Sequence, residues 1–122
     1  MIAIKNSDSI DEKVKYDSRQ KETIAEALDS YGIPHLYNQP ALVFEDGKRS
    51  VEYTDFFLPA NKGLSIDYIA GRQDTEYQRK AELYKDNQIP AVLVTETDLD
   101  DPDFGEKLYK TIEYMSSDKP YN

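Results

Sequence analysis

A chain of 122 residues suits one compact domain, long enough to bury roughly two-thirds of the surface its unfolded form exposes. With no cysteine and a single histidine, it holds no disulfide or thiolate metal site and little basis for histidine-dependent nucleophilic catalysis, so any metal would be held by oxygen. Fifteen basic residues against 24 acidic ones give a net charge of -9, the reverse of the footprint of a nonspecific nucleic-acid binder. No apolar run is long enough to cross a membrane, and "MIAIKNSDSIDEKVKYD" lacks the charged-then-apolar order of a secretory signal, so the expected compartment is the cytoplasm.

The polar start of the chain has no periodicity and reads as a loose arm over residues 1–15, ahead of a single domain at 16–118 and a tail at 119–122. A helix is expected from the capping residues Asp17 or Ser18 to the "YGIP" stop, where Gly32 supplies the C-terminal cap and Pro34 blocks continuation. Its Ile24, Leu28 and Tyr31 share one stripe. Two strands follow in "HLYNQPALVFEDGKRSVEYTDFFLP", joined at Asp46-Gly47, and a third in "LSIDYIA". A helix over Asp74 to Asn87 leads into "IPAVLVTE", a short apolar run typical of a strand buried on both faces. "DDPDFGEKLYKTIEYM" is the last helix, with Phe104, Leu108, Ile112 and Met115 on one face. A meander followed by a crossover helix implies an α/β fold on a mixed sheet. The ten tyrosines are expected mainly in the core.

Two strands each carry an aspartate where strands disfavour one. Alternation over Val51, Tyr53, Asp55 and Phe57 sets Asp55 on an apolar face, and Asp67 lies in the middle of the next strand. A buried carboxylate needs a cation, a metal or a raised pKa. Two such groups on adjacent strands can converge on one divalent cation. The alternative is an edge arrangement that leaves both in water. On the following helix, Tyr77, Lys80, Ala81 and Tyr84 form one stripe while Arg79, Glu82 and Lys85 point elsewhere, so Lys80 is the one inward cation. It would neutralise the carboxylates as an ion pair or orient an attacking water, unless it snorkels over the sheet.

The element order together with "YTDFFLP", "SIDYIAG" and "EYQRKAELY" resembles the PD-(D/E)XK nuclease superfamily. "SRQKETIAEALDSYGI" is similar to that family's opening helix, and the likeness covers Ser18 to Glu96. The resemblance implies a restriction-endonuclease-like α-β-β-β-α-β core on a mixed sheet, here with an additional C-terminal helix. It implies a Mg²⁺- or Mn²⁺-dependent endonuclease acting on DNA in repair, recombination or phage DNA processing. Asp55 and Asp67 take the places of the metal-binding acids, and Lys80 that of the lysine, which has migrated to the helix from the position now held by Ile69. The family's proline before the first Asp is Thr54 here, and the acid of its opening helix is Lys21. Asp17, Gln20, Lys21 and Glu22 are the helix-borne candidates for that missing contribution, with Asp17 and Gln20 better placed on the helical wheel. Arg72, Lys48 and Arg49 are candidate phosphate contacts. So small a nuclease leaves room for a homodimer or a larger assembly. The rival reading is a nuclease-fold module whose chemistry has decayed and which binds a protein or nucleic-acid partner, in keeping with the lost helix acid, the displaced lysine and the acidic surface.

Overall fold

The computed structural model describes residues 14–71 and 74–117. Arg72, the tail and all but the last two residues of the expected arm lie outside the described residues.

Helix α1 (Arg19–Ser30) begins where Ser18, in extended backbone, accepts a hydrogen bond from the Lys21 N–H at 3.2 Å. It ends at Gly32, whose φ of +67° lets the N–H groups of Gly32 and Ile33 return to the carbonyls of Asp29 and Leu28 at 3.0 and 2.9 Å. Ile24 and Leu28 are fully buried. Tyr31, expected beside them, is exposed at the cap and stacks on Tyr109 with ring centroids 4.5 Å apart.

Strands β1 (Leu36–Glu45) and β2 (Lys48–Leu58) form an antiparallel hairpin. Asp46 and Gly47 both have positive φ, as a two-residue turn with the twist of the flanking strands requires. Strand β3 (Leu64–Ile69) pairs antiparallel with β2, and β4 (Ala91–Thr95) pairs parallel with β3 through the crossover helix α2 (Asp74–Asp86). The sheet order is β1-β2-β3-β4, so the fold is α/β on a four-stranded mixed sheet. A short helix α3 (Glu96–Leu99), absent from the sequence reading, is held by reciprocal capping between Thr95 and Asp98, before α4 (Phe104–Ser116).

Helices α1 and α4 close one core with the sheet: Ile24 and Leu28 meet Phe56, Leu58, Leu64, Ile66 and Val94, and Phe104, Leu108 and Ile112 complete it, with Met115 against its rim. Successive side chains of a strand point to opposite faces, so Ile66 enters this core and Asp67 faces α2.

Three expectations change. In β2 the buried positions are Thr54, Phe56 and Leu58, while Val51 and Tyr53 are exposed, so Asp55 shares no buried apolar face with them. Large residues occupy both parities of "VEYTDFFL", and pairing of Phe56 with Ile66 and of Leu58 with Leu64 decides which parity turns inward. Strand β4 is half-buried, only Val94 being enclosed, because it ends the strand order rather than lying within it. The tyrosines divide: Tyr84 is buried, whereas Tyr31, Tyr53, Tyr77 and Tyr114 are exposed.

Candidate functional site

Why two strands carry an aspartate each is answered where β2 and β3 part. Their ladder is regular through Phe56–Ile66, Phe57–Ser65 and Leu58–Leu64. One step further, side chains replace the backbone. The Asp55 N–H donates to Asp67 Oδ1 at 2.6 Å, and the Tyr68 N–H donates to Asp55 Oδ2 at 2.8 Å. Each carboxylate thus satisfies a main-chain donor of the opposite strand that the diverging ladder would leave without an acceptor.

Asp67 is fully buried. Besides Asp55 N–H, its Oδ1 lies 3.1 Å from the Thr54 hydroxyl, whose single proton is shared between it and the Phe56 carbonyl at 3.2 Å. Its Oδ2 accepts from the Lys80 ammonium at 3.1 Å and from the Tyr84 hydroxyl. A carboxylate offers about four acceptor directions, and here donors of the protein meet all of them. Asp55 spends Oδ2 on Tyr68 and Oδ1 on the Lys21 ammonium at 2.9 Å.

Around the two aspartates runs a line of alternating charge. Lys21 also meets Asp17 at 3.2 Å, and Asp17 accepts from the Tyr37 hydroxyl at 2.9 Å. Lys80 also meets Glu52 at 3.2 Å, and Arg79 gathers Glu52, Glu45 and Glu76 at 3.3, 3.0 and 2.8 Å. These partners set the direction of each titration. Burial pushes the Asp55 carboxyl above its ordinary value, opposed by the Tyr68 N–H and Lys21 and reinforced by the nearby Asp67. Burial alone would lower both lysines, but Asp67 and Glu52 outweigh it at Lys80, and Asp55 and Asp17 outweigh it at Lys21, so both are raised. The Tyr84 phenol is raised first by burial and then by Asp67. Beside the centre, burial and then Glu96, whose Oε2 accepts from the Tyr68 hydroxyl at 2.5 Å, push the Tyr68 phenol up to about 12.

The structure therefore brings Asp55, Asp67 and Lys80 together, adds Lys21 and Asp17 from the helix side, and leaves the other candidates elsewhere. Gln20 points to Glu96 at 3.5 Å, and exposed Glu22 pairs with Arg19 at 3.7 Å. Lys48 and Arg49 lie at the hairpin turn, six or seven residues from Asp55 along β2, which is about 20 Å at the rise of a strand. They belong to a different part of the surface, and Arg49 sits over the Phe44 ring, 5.7 Å from its centroid. On α2 Lys80 and Tyr84 of the expected stripe face inward, but the rest of the stripe does not. Leu83 and Tyr84 are buried, Tyr77 and Ala81 are exposed, and Arg79 turns to the hairpin alongside Lys80, because its long side chain reaches Glu45 and Glu52.

Lys21 is one of the helix-borne candidates, and its place three residues before Ile24 and seven before Leu28, on the inward stripe of α1, signals the pairing with Asp55, which is absent from the sequence reading. Glu52, Arg79 and the cross-strand role of the Tyr68 N–H carried no local signal.

A divalent cation does not fit this donor set. Mg²⁺ requires free oxygen ligands in near-octahedral array, whereas both carboxylates are engaged by protein donors and flanked by two ammonium groups that repel a cation. Among the described residues, no group of three or more His, Cys, Asp or Glu side chains is arranged to hold a metal ion. No helix among them is long and apolar enough to cross a membrane. The chain matches no family model, no curated protein and no solved structure.

Proposed function

We propose that the chain is a module built on a restriction-endonuclease-like core which binds a partner and does not cleave DNA. One observation carries this reading: cations of the protein hold both aspartates, Lys21 on Asp55 at 2.9 Å and Lys80 on Asp67 at 3.1 Å. In the family that the motifs resemble, the position of Lys21 is acidic and helps to bind metal. A lysine there reverses the sign of the site and substitutes an internal ion pair for a metal ligand. Support for the fold part comes from the order of one helix, a three-strand meander, a helix and a parallel strand. The net charge of -9 favours a protein partner over bare DNA, whose phosphates an acidic surface repels.

A second reading, metal-dependent hydrolysis of DNA phosphodiester bonds, draws on the convergence of Asp55, Asp67 and Lys80 at one point. It requires both lysines to leave their carboxylates. Incubation with supercoiled, linear and four-way-junction DNA in Mg²⁺ or Mn²⁺ separates the two. The proposal expects every substrate to stay intact, and cleavage that disappears in Asp55→Ala and Lys80→Ala would overturn it.

A further inference from the structure

The β1–β2 hairpin turns Glu45 and Glu52 inward, where both meet Arg79 and Glu52 also meets Lys80, and leaves Asp46 exposed at its turn. Its other face is apolar. Pro40, Leu42 and Phe44 of β1 and Val51 and Tyr53 of β2 are all exposed, Leu42 to 79%, Phe44 to 57% and Tyr53 to 55%. Register sets Pro40 opposite Tyr53, Leu42 opposite Val51 and Phe44 opposite Arg49. Opposed side chains on antiparallel strands stand roughly 5 Å apart, so these pairs make one continuous ridge. The five apolar groups in these pairs present on the order of 500 Å² of apolar surface, within the range of the largest patch a monomer leaves in water.

The edge of the hairpin is closed to strand addition. β1 is the outermost strand; Pro40 has no N–H, and the Asn87 side chain takes both the N–H and the carbonyl of Phe44, at 2.8 and 3.0 Å. A partner must therefore use the face.

We propose that the occupant is a second copy of this chain, and that two hairpins stack outer face to outer face about a two-fold axis. The ridge with its polar rim approaches the roughly 800 Å² per partner that a stable interface needs. Charge selects the same surface. Two chains of net charge -9 repel wherever their acids meet, but the one charged side chain on this ridge is Arg49, lying over its own Phe44. Away from Asp46 at the turn, two acidic molecules approach here without opposing carboxylates. An isologous contact lays each ridge on its equivalent, with the strands of the two sheets crossing at about 30°, as in aligned sheet packing.

Sedimentation equilibrium of the full chain across a wide concentration range tests the contact. The expected result is a mass twice 14.1 kDa that falls to a single chain on dilution. Leu42→Lys and Val51→Lys should each weaken association at least about tenfold. Both side chains are exposed in the single chain, so circular dichroism should be unchanged. Tyr114→Lys, at an exposed position on α4, should leave association intact. A single-chain mass at every concentration, or a dimer indifferent to Leu42→Lys, would overturn the proposal.

Discussion

The ammonium of Lys21 lies 2.9 Å from Oδ1 of Asp55, joining the first turn of α1 to the point where β2 leaves β3. This contact ties the helix to the strand fork and occupies the carboxylate oxygen that faces it. Lys21→Glu reverses the charge and creates a three-carboxylate cluster with Asp55 and Asp67. The variant should lose about 3 kcal/mol of stability without metal, as breaking a largely buried pair does. It should regain part of that loss with Mn²⁺, read as a rise in Tm that the wild type does not show. No metal-dependent rise would mean that Lys21 is not what keeps a cation out.

Lys80 and Asp67 form the second pair, and Asp67 is fully enclosed. Lys80→Met leaves that carboxylate without its cation and should cost about 3–5 kcal/mol in urea denaturation. Adding Asp67→Asn should then cost much less than it does alone, because the two side chains answer one another's charge. Strictly additive losses in the double-mutant cycle would show the pair to be energetically idle.

Tyr84 gives Asp67 a hydroxyl donor, and Tyr84→Phe should cost about 1.5–3 kcal/mol at neutral pH, the range for a hydrogen bond to a charged group. The same contacts set the alkaline limit. Lys21, Lys80 and Tyr84 all keep their protons longer when folded than the ordinary 10.5 of lysine and 10.0 of tyrosine. Above pH 10 the unfolded chain releases these protons first, so stability falls as pH rises. The raised Asp55 acts with the same sign in acid: just above 3.8 the folded form holds the extra proton, so its share of stability is greater at lower pH. Urea midpoints measured above pH 10 should fall less steeply in Tyr84→Phe than in the wild type; equal slopes would contradict the assignment.

Asn87 mimics a neighbouring strand at Phe44. Asn87→Ala should cost about 1–2 kcal/mol and open the edge of β1 to other chains. The first effect is read from the urea midpoint and the second from light scattering over time. A stable variant that stays monodisperse would show that Pro40 alone guards the edge.

Signals confined to a few neighbouring residues were legible in the sequence. Ser18 and Gly32 bound α1, Asp46-Gly47 turns the hairpin, and the stripe of Phe104, Leu108 and Ile112 faces the core, because each depends on the conformation of its own segment. Asp55, Asp67 and Lys80 stood out because charged groups in apolar surroundings are costly, and the structure brings the three together.

Only the tertiary structure decided the rest. A period of two shows that a strand has two faces but not which one is buried, so the inward side of β2 waited on its pairing with β3. Long side chains can answer charges far along the chain: Lys21 reaches Asp55 and Arg79 reaches Glu45, each pair 34 residues apart in sequence, just as Asn87 closes on Phe44 from 43 residues away. Sequence composition determined that the two aspartates needed partners. The folded geometry determined that those partners are lysines and backbone N–H groups, because the fork between β2 and β3 places these donors, and not a third carboxylate, within hydrogen-bond reach.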